Sequence, residues 1–186
     1  MTLESIDGHS LDVDLLTESC LVLDVGCRGF NFGNALRSRF RANVYELDID
    51  VLDTTQLYYR IGLSAYEGKG DVSNELDGHA RRLIEGEQVA VTTLQSFSRQ
   101  VRVEDWAVIK LNCEGSEFDI LQTLASPMAK QIVVSFHEHT VAQRGDIAID
   151  KLLDRLRQWY DVHNHIKESR YGCRSNYWDT LLIRRF

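Results

Sequence analysis

Short apolar runs bounded by glycine or acid alternate along this chain with longer stretches whose apolar residues recur at helical spacing. Leu21-Val22-Leu23, ending in Asp24, suits a strand buried on both faces, so Cys20 to Val25 predicts a first strand. A helix is predicted from Asn31 to Phe40, then strands over Asn43 to Leu47 and Tyr58 to Ser64. Gln88 to Thr93 alternates as a half-buried strand does, and Trp106 to Cys113 and Gln131 to His137 read as further strands. Ser116 has the place of a helix N-cap, with Glu117 and Asp119 in the first turn, where acids favour the helix dipole. Phe118, Leu121 and Leu124 form its apolar stripe, and it stops before Pro127. Ile149, Leu152, Leu153, Leu156 and Tyr160 place an amphipathic helix over Ile147 to Tyr160. Val162 to Lys167 and Tyr177 to Arg184 read as two closing strands. No helix fits between them, so they pair antiparallel.

Two regions are less regular. Leu11 to Glu18 reads as a short leading helix within a lead-in over residues 1–18. Residues 65–105 read as an irregular insertion carrying one extra strand, with a turn at Gly68-Lys69-Gly70 and a brief helical turn over Ala80 to Glu85. Strands alternating with helices imply an α/β fold with a mostly parallel, doubly wound sheet. The expectation is a Rossmann-like, seven-stranded sheet with helices on both faces and a C-terminal antiparallel hairpin, forming a single domain over residues 1–186.

The bulk properties narrow this picture only a little. The chain has 186 residues, 44% hydrophobic and 26% charged, which fits one globular domain with a sizeable core. Its net charge of −7 argues against nucleic acid as a main partner. The longest run free of charged residues, Gln88 to Ser98, is too short to span a bilayer, and the acidic first residues lack a signal pattern. The reading is therefore cytoplasmic, with no membrane partner. Cys20, Cys27, Cys113 and Cys173 contain no C-x-x-C pair and read as free thiols.

Candidate chemistry begins at Cys20 to Gly33, CLVLDVGCRGFNFG. Glycines at a strand exit let the backbone turn sharply and approach a ligand. A dinucleotide fingerprint needs a middle glycine where Arg28 stands, and Asp24 sits badly beside a pyrophosphate. Acids recur at the predicted strand ends (Asp24, Glu46, Asp48 and Glu114), the edge where open α/β sheets bind ligands. That charge suits S-adenosylmethionine (SAM), which carries an ammonium and a sulfonium and no phosphate. The plain alternative is a glycine turn with capping acids and no cofactor.

A second dense signal is VIKLNCEGSEFDIL, Val108 to Leu121. Together with LVLDVG, Tyr45-Glu46, the TTLQSF segment and Val134-Ser-Phe-His137, it resembles the FkbM family of SAM-dependent methyltransferases over roughly residues 20–140. The resemblance implies O-methylation of a hydroxyl on a sugar, glycan or polyketide-type acceptor. It implies cofactor contacts from Asp24, Gly26, Cys27, Arg28, Gly29, Glu46, Leu47, Ser64 and Asn112, and catalytic roles for His137, Glu114 and Glu117. His137 is the candidate base, because it ends a strand on the ligand edge and titrates in the useful range; the plain alternative is a histidine bonded within the fold. The sequence departs from the family pattern at Cys27-Arg28, at Gln95 and Asn112 where aspartate is usual, and at Ser135 where glutamate is frequent. Cofactor binding is thus better supported than turnover, and a SAM-binding module acting through a protein partner is the first alternative. A nicotinamide-dependent oxidoreductase is the second.

Smaller signals remain. His137 and His139 share a strand face and with Glu114 invite a metal reading, which Asn112 disfavours; no metal is expected. Arg170, Tyr171 and Arg174 could form a substrate lip, and His79, Arg81 and Arg82 read as a solvated face. No separate acceptor domain is visible, so a second subunit, as in a homodimer, is a candidate to complete the site.

Overall fold

The computed structural model describes residues 1–27, 29–49, 57–71, 88–113, 115–137, 146–169 and 176–185. In chain order the elements are β1 (Leu3–Ile6), β2 (His9–Asp12), a 3-10 turn (Val13–Leu15), β3 (Leu21–Val25), α1 (Asn31–Phe40), β4 (Asn43–Leu47), β5 (Tyr58–Tyr59), β6 (Gly62–Leu63), β7 (Gly68–Asp71), β8 (Gln88–Thr92), α2 (Leu94–Val101), β9 (Trp106–Leu111), α3 (Glu117–Gln122), β10 (Ala129–Phe136), α4 (Asp146–Leu156), β11 (Tyr160–Ser169) and β12 (Asn176–Arg184).

Seven strands form the main sheet in the order β11-β12-β10-β9-β3-β4-β5. Of these, β12 alone runs antiparallel to its neighbours, so the sheet is mixed and mostly parallel. Alternation along each strand divides the core in two. Leu23, Val25, Ile109, Leu111, Ile132 and Val134 face α2, α3 and α4. Val22, Val44, Val108, Val133 and Leu181 face α1 and the β1–β2 hairpin. Helices therefore cover both faces, and β9 is buried at every position, as a strand between two layers must be.

The N-terminal expectation is corrected. Leu11 to Glu18 is no helix: β1 and β2 form a hairpin with Ile6 opposite His9, followed by the 3-10 turn. The cause is Asp7-Gly8, two residues at φ 49° and 80°, the left-handed pair that a tight hairpin turn demands. The hairpin is fixed to the sheet by Gln131. Its Oε1 accepts from Asp12 N (2.9 Å) and its Nε2 donates to the Asp12 carbonyl (3.1 Å).

The expected third strand is split. Tyr58–Tyr59 pairs with β4 at the sheet edge, whereas Gly62–Leu63 leaves to join β8. With β7 these make a separate three-stranded sheet, order β6-β8-β7, so Gly68-Lys69-Gly70 lies in a strand and not a turn. The interval 65–105 also holds α2, which the sequence reading left out. Thr93 caps it by accepting from Ser96 N (3.2 Å), and Leu94 and Phe97 are buried beneath it. The last helix ends at Leu156, earlier than expected, because Tyr160 already begins β11 and pairs with Arg184. The segment 80–85 and residues His79, Arg81 and Arg82 lie outside the described residues.

Candidate functional site at the sheet crest

From β3 the chain steps outward to β4 and β5 on one side; β9 and β10 then lie on the other. The reversal falls between β3 and β9, and in open α/β sheets ligands bind outside the carboxyl ends at such a point. Here the two ends are knitted closely. Asn112 N donates to the Val25 carbonyl (3.1 Å) and Gly26 N to the Leu47 carbonyl (2.9 Å). Gly26 has φ +74°, and a Cβ on it would lie 1.8 Å from the Asn112 carbonyl oxygen. Only glycine fits this turn.

The acid at the end of β3 is not a bare charge. Asp24 is fully buried and stands opposite Lys110 in the β3–β9 register. Lys110 Nζ donates to Asp24 Oδ1 (2.7 Å) and to the Gly26 carbonyl (2.9 Å), and lies 5.6 Å from the centre of the Phe32 ring. The negative charge expected at Asp24 is thus paired, since a buried carboxylate is retained only when its charge is paired. Asp24 Oδ2 and Asn112 Oδ1 nevertheless remain buried with no hydrogen-bond partner among the described residues.

Glu46 is likewise engaged. It is fully buried beside Asp24 in the β3–β4 register, and α1 supplies a bidentate partner. Arg37 Nη1 donates to Oε1 (2.9 Å) and Nη2 to Oε2 (2.7 Å). Gly33 leaves room for this pair, because a Cβ there would meet Glu46 Oε1 at 2.3 Å. Asp48, one residue past the end of β4, is half-buried at the crest. Its N–H donates to the Tyr59 carbonyl (3.3 Å), and its own carbonyl accepts from the Tyr58 hydroxyl (3.0 Å).

Glu117 and His137 meet across the adjacent crest. Glu117 opens α3 after β9, and His137 follows β10; both are buried. His137 Nδ1 lies 2.9 Å from Glu117 Oε1. Glu117 Oε1 also accepts from Cys113 N (2.8 Å) and Oε2 from Gly115 N (2.9 Å). Glu117, not Ser116, therefore ties down the start of α3; the Ser116 side chain makes no capping bond. Burial pushes the Glu117 carboxyl up, but the His137 charge and these hydrogen bonds outweigh it, and the group titrates below the ordinary glutamate value.

The order β11-β12-β10-β9-β3-β4-β5, the single reversed strand and the crest at β3 and β9 can be compared with known proteins as a unit. The chain superposes on a chain from the structure of the E. cuniculi Mtq2–Trm112 complex, which is responsible for methylation of the eRF1 translation termination factor. The TM-score is 0.50 at 12% identity, over 93% of this chain and 92% of that one. This is the class I methyltransferase fold. No protein-family model matches the chain, and no curated protein matches it in sequence.

The remaining expected site residues fall at different places around this crest. The Cys27 side chain is buried; burial first, and the charges of Asp24, Asp48 and Glu46 after it, push the thiol far up, so it is an inert packing group. Leu47 belongs to the apolar core and reaches the turn only through its carbonyl. Gly29 has φ +81°, and a Cβ on it would make ordinary contact with Asn31 Nδ2 at 3.9 Å. Ser64 bonds through its N–H to the Thr92 carbonyl (2.9 Å) and so belongs to the small sheet. Arg28, Glu114, Glu138, His139, Arg170, Tyr171, Cys173 and Arg174 lie outside the described residues. A cleft of about 560 Å³, lined by Gln95, Arg99, Arg102 and Met128 among others, sits before the amino ends of β9 and β10, at the opposite edge from Asp24, Glu46 and Glu117.

Sequence reasoning missed Lys110, Arg37 and the part played by Asp48. Lys110 carried a signal: a lone cation inside the apolar run Trp106 to Leu111 must find a buried partner.

Proposed function

We propose that this chain is a SAM-dependent methyltransferase of the FkbM type that methylates a hydroxyl oxygen. The observation that carries the reading is a pair of buried oxygens, Asp24 Oδ2 and Asn112 Oδ1, that have no hydrogen-bond partner among the described residues and lie at the reversal point of a class I methyltransferase sheet. Both are acceptors, and a buried acceptor without a donor is costly. A ligand ammonium meets that need, so the residues present fit the amino-acid end of SAM. Asp48 is assigned to the ribose hydroxyls, because Arg37 already holds both oxygens of Glu46. When bound, SAM supplies a methyl group on a positively charged sulfur.

The chain's own residues supply orientation and a proton acceptor. An ionised Glu117 can only accept, so the proton on His137 Nδ1 points at it. The acceptor hydroxyl's proton is assigned to Nε2, the ring nitrogen that Glu117 does not hold. Glu117 fixes the ring and steadies the imidazolium, which makes it a positioning residue and not a base. General-base catalysis of this kind contributes about 10²–10⁴-fold.

The FkbM-like motif favours a sugar, glycan or polyketide-type alcohol as acceptor. The fold neighbour acts as a two-protein complex on a protein, which keeps a protein partner and a protein acceptor as a second reading. Calorimetry with SAM, S-adenosylhomocysteine and NAD, followed by mass spectrometry of candidate acceptors, separates these. Binding of both sulfur ligands with a mass gain of one methyl on an alcohol is the expected result. Binding without transfer to any alcohol supports the partner-dependent reading, and binding of NAD alone rejects the assignment.

A further inference from the structure

Lys110 is the one charged residue in β9, and its side chain is 4% exposed. Burying an ammonium costs several kcal/mol unless it is fully paired, so its presence calls for a reason beyond strand formation. The ammonium bridges Asp24 and the Gly26 carbonyl, which belong to the strand end and to the turn that the cofactor reading requires. Among the described residues, the second oxygen of Asp24 has no partner, and neither has Oδ1 of Asn112, a neutral acceptor. One lysine therefore balances one aspartate where the Asp24 and Asn112 oxygens are presented.

We propose that Lys110 is a built-in counter-cation and positioning residue: it fixes Asp24 and the Gly26 carbonyl and cancels one negative charge, so that a sulfonium ligand and its neutral thioether product are not separated by charge. The inference rests on the SAM reading above. A site with a bare carboxylate would favour the cationic donor over its thioether product; a balanced one releases the product and admits the donor on similar terms.

The test is the ratio of dissociation constants for S-adenosylhomocysteine and SAM, measured by calorimetry at pH 8. Lys110→Met leaves Asp24 uncompensated and should raise that ratio by about tenfold, since an unpaired charge acts strongly in a poorly screened site. Adding Asp24→Asn to that variant should return the ratio to the native value. Lys110→Arg keeps the charge but not the geometry; it should weaken both ligands by about tenfold and leave the ratio unchanged. This variant still decides the matter if Lys110→Met does not fold. An unchanged ratio in folded Lys110→Met, or native affinities in Lys110→Arg, overturns the role assigned to Lys110 alone. Failure of the unaltered protein to bind either sulfur ligand overturns the SAM reading and this inference with it.

Discussion

At the scale of single residues, the crest depends on positions where one atom more or less changes the outcome. Gly26→Ala places a methyl against the Asn112 carbonyl at a left-handed φ. The strain and overpacking together cost about 2–5 kcal/mol. The urea midpoint should fall accordingly, and a native midpoint would mean that the β3 and β9 ends are not knitted as described. His137→Ala should slow methyl transfer by about 10²–10⁴-fold while leaving SAM affinity close to native; single-turnover kinetics beside calorimetry resolves the two. Glu117 adds a pH dependence. Its folded carboxyl titrates below the ordinary value, so its bonds stabilise the fold above the unfolded glutamate's pKa, and that contribution disappears as pH falls through the folded pKa. Denaturation of native protein and Glu117→Gln across pH 2–7 should show a stability gap that is full near neutrality and closes in acid.

Among the elements, the ones with strong local punctuation were legible and those held by distant partners were not. The helix over Asn31 to Phe40 and the strand over Asn43 to Leu47 have the bounds read from the sequence. The antiparallel closing pair was legible too, because too few residues separate its strands for a crossover. Asp7-Gly8 is a hairpin signal in the sequence, but it is the β1–β2 pairing that shows Leu3 to Asp12 forming a hairpin. The Tyr58 to Ser64 run reads as one strand, yet the chain leaves the main sheet after Tyr59 because β8 offers Gly62 and Leu63 a partner that no local pattern reveals. The hairpin's attachment makes a further prediction. Gln131→Leu strands the buried Asp12 N–H and carbonyl, each costing about 1–3 kcal/mol. The unfolding midpoint should drop while SAM affinity stays native, because Gln131 holds the Asp12 end of the hairpin near the amino end of β10.

For the whole molecule, two apolar layers enclose the sheet, and the thiols report on their integrity. Cys20 and Cys27 are buried, and burial raises both thiols. Alkylation followed by peptide mapping should leave both unmodified in the native protein and label them only on unfolding; rapid native labelling of Cys27 would mean that the Gly26 turn opens. Taken alone, the sequence determined where the buried strands run, that a glycine turn follows the first of them, and that acids gather at the strand ends. Those properties come from apolar periodicity and backbone freedom, which neighbouring residues encode. Tertiary structure decided the charge each acid carries into the site. Asp24 meets Lys110 86 residues away, Glu46 meets Arg37 and Glu117 meets His137. Pairing through space depends on strand register and on which face a helix covers, and a Coulomb partner leaves no mark on the local pattern.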